Sequence, residues 1–188
     1  ASDVYKRQIS TSGFSTTDYN LWPPFAQTIL VLLMFVGGCS GSTAGSIKCG
    51  RILLLLRSST RSLLRLSHPR AGRVVKLDGK AVEEDTLRTV SSFFLCFFAL
   101  LGVGCLVVSL DGYSLTTSFT AALGCLSNVG PGLDLVGPMG NFGLLSGFNK
   151  VFLSLLMLIG RLEIFPILLL FLPSTWRRRR RFSGDNEL

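Results

Sequence analysis

Long apolar runs alternate along this chain with short polar or glycine-rich interruptions. Residues 90–110 carry no charge, and residues 151–171 carry only Arg161 and Glu163. About 20 apolar residues cross a bilayer core at roughly 1.5 Å rise per residue, so each run predicts a membrane-spanning helix. A third apolar run, 25–36, stops at Gly37-Gly38-Cys39-Ser40-Gly41-Ser42-Thr43-Ala44-Gly45-Ser46 and resumes over 47–56 with Lys48 and Arg51. Lipid cannot hydrogen-bond a freed backbone, so a helix broken at that depth must face protein or a water-filled cavity. Interrupted helices of this kind mark transport pathways. The competing reading, a loop between two soluble helices, is disfavoured by the two neighbouring spans.

Residues 116–126 are apolar for half a span, too short to cross. They then meet Ser127-Asn128-Val129-Gly130-Pro131-Gly132, where Pro and two Gly forbid further helix. This predicts a re-entrant loop, a short helix dipping in and an extended segment climbing out. The carbonyl end of such a half-helix favours a cation at the membrane centre, and carbonyls along the strand can replace a hydration shell. An amphipathic helix lying on the outer surface is the alternative. A second segment of the same type, Ile9-Ser10-Thr11-Ser12-Gly13-Phe14, precedes an interfacial stretch with Tyr19 and Trp22 and a helix start at Pro23. The pattern predicts an all-α polytopic membrane protein, with span–pore-loop–span repeats, re-entrant half-helices and one broken transmembrane helix.

Composition agrees: 48% hydrophobic, 16% charged, 14 Phe, and a positive mean hydropathy. The net charge of +8 changes the picture only through its distribution. Lys48, Arg51, Arg57, Arg61, Arg65, Arg70, Arg73, Lys76, Lys80 and Arg88 lie between the broken span and the next, and residues 177–181 are all arginine. Residues 111–149 contain no Lys or Arg. That asymmetry places 57–88 and the tail in the cytoplasm and 111–149 outside. It gives the terminal arginines a role against anionic lipid heads rather than nucleic acid. Cys39, Cys49, Cys96, Cys105 and Cys125 form no CxxC pair and His68 is the only histidine. The reading is small buried thiols, with neither a disulfide framework nor a transition-metal site. The spans offer no histidine and one carboxylate, Glu163, which leaves no catalytic constellation. The alternative to transport is a non-transporting structural or assembly subunit.

Five segments in order, ISTSGFSTTDYNLWPPFAQ, MFVGGCSGSTAGSIK, SHPRAGRVVKLDGK, LSNVGPGLDLVGPMGNF and MLIGRLEIFPILLLFLPSTWRR, resemble the TrkH branch of the Trk/Ktr/HKT potassium transporters. The resemblance covers nearly the whole chain. It implies a subunit of four span–pore–span repeats around one pathway, of which this chain is the end of the third and all of the fourth. The expected divisions are a non-native or unassigned lead over 1–8, the third-repeat end over 9–66, a cytoplasmic linker over 67–86, the fourth repeat over 87–176 and a basic tail over 177–188.

By resemblance, Thr11, Ser12 and Gly13, with Asn128, Val129 and Gly130, form the filter strands whose carbonyls bind dehydrated potassium, the substrate; no cofactor is implied. Neither strand carries TVGYG. Gly37, Gly38, Ser40, Gly41, Ser42, Thr43 and Gly45 match an intramembrane gate loop, with Ser46 replacing a glycine frequent in the family. Arg161, a costly charge within a span, matches an arginine just beneath the filter and is expected to raise the barrier to potassium. Glu163, two residues on, cannot face it on a helix. Lys48 either pairs with a carboxylate elsewhere or snorkels to the interface. The basic stretch 57–80 either docks a partner or is solvated. The family is a homodimer with a cytosolic nucleotide-binding partner of TrkA type, in the bacterial cytoplasmic membrane with its C-terminus inside.

Overall fold

The computed structural model describes residues 4–6, 10–13, 15, 17–38, 46–67, 76–77 and 80–162. Five helices carry the architecture: α1 (Pro24–Phe35), α2 (Cys49–Ser67), α3 (Glu84–Ser109), α4 (Leu115–Leu126) and α5 (Gly147–Arg161). A two-residue antiparallel pairing, β1 (Lys76–Leu77) with β2 (Lys80–Ala81), lies in the linker. That pairing was not expected, although the Asp78-Gly79 dipeptide between the strands is a hairpin signal.

Local chemistry sets the helix ends. Pro24 opens α1, where its missing N–H is no loss. Gly37 and Gly38 follow its last turn. The two limbs of the interruption are tied together just above the break: Val36 bridges Ile47 in parallel, the Gly37 N–H donates to the Ile47 carbonyl at 2.9 Å, and the Ile47 N–H donates to the Phe35 carbonyl at 3.1 Å. The broken span is thus present at both described ends. Residues 39–45, which include Ser40, Gly41, Ser42, Thr43 and Gly45 of the expected gate, lie outside the described residues.

Helix α3 begins before the uncharged run does, because Glu84 and Asp85 sit in its first turn, where the dipole favours carboxylates. Its 26 residues make it long and apolar enough to cross a membrane. Leu87, Val90, Phe93, Phe97, Leu101, Gly104 and Val108 form its buried stripe, at helical spacing. Leu95, Phe98, Val103 and Leu106 are exposed on other faces, an apolar exterior suited to lipid. Gly104 marks a close crossing: a Cβ there would come 2.9 Å from Leu156 Cδ1 and 3.1 Å from the Ala122 Cβ.

Helix α4 packs against α3, α5 and α1. Nine of its twelve residues are buried, among them Thr117, Ser118 and Thr120. A helix lying flat on a surface exposes one face, so the surface-helix alternative does not describe α4.

Helix α5 starts earlier than the apolar run because Ser146 caps it, its Oγ accepting from the Asn149 N–H at 3.3 Å. The described helix ends at Arg161, with Leu162 leaving helical geometry. Arg161 therefore stands in the last turn of a helix, where a cation suits the dipole, rather than midway along a described continuous one. Glu163 and residues 177–181 lie outside the described residues. The thiols divide: Cys125 is buried and Cys96 and Cys105 are half-buried, but Cys49 is exposed, correcting its assignment as a buried thiol. Its Sγ donates to the Gly37 carbonyl at 3.1 Å. Val4 is buried with Tyr19, Leu30 and Leu133, so residue 4 of the unassigned lead packs into the fold.

Candidate functional site

The end of α4 determines the geometry of the segment after it. The Ser127 N–H donates to the Leu123 carbonyl at 2.8 Å. The Gly124 carbonyl accepts from both Val129 (3.0 Å) and Gly130 (3.2 Å). The chain thereby curls over the helix terminus, and those amides are satisfied from within. Gly124 is required to be small, since a Cβ there would lie 2.8 Å from the Gly130 carbonyl oxygen. The carbonyl oxygens of residues 127–130 accept no hydrogen bond among the described residues.

The two candidate strands share a backbone signature. Thr11 has φ 55° and Gly13 φ 66°, while Asn128 has φ 56° and Gly130 φ 99°. Left-handed residues thus occupy the first and third positions of each triplet. A non-glycine residue rarely adopts that conformation, so Thr11 and Asn128 are held there by their surroundings. Interrupting an extended strand this way turns successive carbonyls out of the strict alternation a β-strand would impose. The triplets also meet. A Cβ on Gly13 would run into the Val129 carbonyl oxygen and lie 2.8 Å from Pro131 Cδ. Gly13 and Gly130 line one open cavity of about 380 Å³.

Helix α5 supports this bend from beneath. The Asn128 side-chain amide donates to the Met157 carbonyl at 3.1 Å. A Cβ on Gly160 would run into the Leu126 carbonyl oxygen. Gly160 thus permits the last turn of α5 to touch the carbonyl end of α4, which places the backbone of Arg161 next to it. The Arg161 side chain is exposed.

The inner break is built differently. Ser46 is 3% exposed, and its Oγ is buried without a hydrogen-bond partner among the described residues, packed where a Cβ on Gly37 would be. Arg51, just inside α2, places its guanidinium 4.2 Å over the Phe93 ring. Sequence reasoning brought the two triplets and the break forward. It missed Gly124, Gly160, Asn20 and Asp134, and it set Tyr19 in an interfacial stretch, whereas Tyr19 is buried in the fold. Left-handed Asp134 (φ 59°) accepts from Thr117 Oγ1 at 2.6 Å and Ser114 Oγ at 2.7 Å. These two bonds hold its carboxyl below the usual range, the Thr117 bond contributing most.

These elements define a class: a helical polytopic membrane protein with a buried half-span helix and a broken span. The family model described as TrkH, cation transport protein, matches residues 8–178. The Trk system potassium uptake protein TrkG of Escherichia coli K12 is 37% identical over 90% of this chain and 34% of its own length. TrkH of Salmonella typhimurium is 39% identical over 89% of this chain and 34% of its own. The crystal structure of the potassium transporter TrkH from Vibrio parahaemolyticus superposes with a TM-score of 0.81 at 38% identity, over 90% of this chain and 36% of that one. The chain belongs to the TrkH family, and spans about a third of the length of the relatives it matches.

Proposed function

We propose that this segment forms one side of a pore that takes potassium up across the cytoplasmic membrane. Main-chain carbonyls of Thr11, Ser12, Gly13, Asn128, Val129 and Gly130 stand in for the ion's hydration shell. The stretch that includes Gly37, Gly38, Ser40, Gly41, Ser42, Thr43 and Gly45 acts as the gate below. The observation that carries the reading is the pair of like-shaped left-handed bends in contact through Gly13 and the Val129 carbonyl. The bend over α4 also leaves its carbonyls without internal donors among the described residues. The relatives named as potassium uptake proteins support the choice of ion.

In this reading Arg161 is a barrier. At about 5 Å and an effective dielectric near 20, two like charges repel by roughly 3 kcal/mol, enough to throttle flux without closing the route. The cation-rich stretch 57–88 and the arginines at 177–181 face the cytoplasm and anionic lipid. The full-length protein works as a homodimer with a cytosolic nucleotide-binding subunit of TrkA type. The decisive test is growth of a potassium-uptake-deficient bacterium at low potassium. The full-length subunit is expected to restore growth, and a subunit that reaches the membrane yet carries no potassium overturns the proposal.

A further inference from the structure

Between the two bends runs a set of hydrogen bonds for which the pore reading has so far needed no role. The 3₁₀ turn Tyr19–Leu21 follows the first bend. Its Tyr19 is 1% exposed, and the phenol donates to the Gly132 carbonyl at 2.9 Å, just beyond the second bend. The next residue makes a two-way pairing: the Asn20 side-chain amide donates to the Asp134 carbonyl at 3.2 Å, and its Oδ1 accepts from the Asp134 N–H at 2.9 Å. A Cβ on Gly137 would collide with that amide.

Both ends of this linkage are anchored. Gln27, one turn into α1, donates through Nε2 to the carbonyls of Tyr19 (3.3 Å), Asn20 (2.9 Å) and Trp22 (3.2 Å), which holds the 3₁₀ turn to the helix. At the far end, the Asp134 carboxylate receives Ser114 and Thr117 at the start of α4. The Leu133 N–H donates to Thr120 Oγ1 at 3.0 Å. A continuous polar strut thus joins α1, the segment outward of the first bend, the segment outward of the second, and α4.

We propose that Tyr19 and Asn20 are positioning residues for ion discrimination, setting the separation of the two carbonyl-bearing bends by clamping one repeat's outer turn to the other's return segment. The proposal rests on the pore reading. Carbonyls select between alkali ions only if their spacing is held against the pull of a smaller ion, so loosening the clamp acts on the ratio between ions more than on potassium flux. Neither side chain touches the ion.

The test is uptake by the full-length subunit in potassium-depleted cells, measured with potassium, rubidium and sodium. Tyr19→Phe keeps the buried ring and removes only the donor, Asn20→Ala removes the two-way pairing, and Gly137→Ala displaces the Asn20 amide without altering it. Each variant is expected to raise the sodium-to-potassium uptake ratio by roughly three- to tenfold, the scale of a lost buried hydrogen bond, with potassium uptake reduced less. Should Asn20→Ala or Gly137→Ala fail to reach the membrane, Tyr19→Phe carries the test. Unchanged ratios in variants present at wild-type levels overturn the clamp while leaving the pore standing. A wild-type subunit that moves no potassium overturns both.

Discussion

The outer bends and the inner break are both places where a helix cannot continue, yet they are built in opposite ways. Around residues 128–134 bonds arrive from three directions: from α4 through Gly124, from α5 through Met157, and from the outer turn through Tyr19 and Asn20. Around residues 37–47 the bonds of the described residues are confined to the limbs themselves, and the buried Ser46 hydroxyl has no partner among the described residues. Each place also buries a hydroxyl without a partner among the described residues, Ser127 at the outer bend and Ser46 at the inner break, so the contrast lies in how many elements are tied together.

The most severe challenge to that comparison is Gly13→Ala. The left-handed φ alone costs roughly 1–2 kcal/mol, and the new Cβ strikes the Val129 carbonyl. Potassium uptake of the full-length subunit is expected to fall by more than about tenfold. Gly130→Ala carries the φ penalty with open space around it, so its loss is expected to be smaller. Equal losses would show that contact between the bends is immaterial.

Arg161→Ala is expected to raise uptake by about tenfold, the part of a roughly 3 kcal/mol repulsion that survives screening by water and counter-ions. Unchanged or lower uptake at normal expression removes Arg161 from the pathway.

Acid should act on the outer mouth. Because hydrogen bonds from Thr117 and Ser114 lower the Asp134 pKa, its carboxylate adds stability above the unfolded-state pKa. That contribution disappears as pH falls through the lowered folded value. Uptake measured against external pH is expected to decline at the acid end, and Asp134→Asn to flatten the decline. Asp111 follows the same sign: the Ser146 backbone N–H, and then Asn149, lower its pKa at the start of α5.

The smallest effect is expected at the inner break. Ser46→Gly removes the buried hydroxyl and restores backbone freedom, with uptake rising by about twofold or less, while Ser46→Ala leaves stability unchanged or slightly higher. A large loss of uptake from either would mean that the hydroxyl does more than fill space.

Much of this architecture is legible in the residues. An apolar run, a Pro-Pro helix start and a Gly-Gly stop act within a few positions of themselves, so α1, α3, α4 and the break could be read directly. The start of α5 was displaced because its cap, Ser146, lies outside the apolar run. Its described end at Arg161 falls within the run, because hydropathy does not register where a helix turns. The exposure of Cys49 was hidden for a related reason: a thiol next to Gly50, at the start of an apolar stretch, looks buried by composition alone.

What the chain's own order of residues determined is the set of helices, the two glycine-ended bends and the asymmetry of charge, since each depends on local backbone freedom or on summed transfer to lipid. Only the tertiary structure decided that Asn20 meets Asp134, that Tyr19 meets Gly132 and that Gly160 touches the end of α4. Those partners lie far apart in sequence, and hydrogen bonds and close approaches depend on separations of a few ångströms that no periodicity encodes.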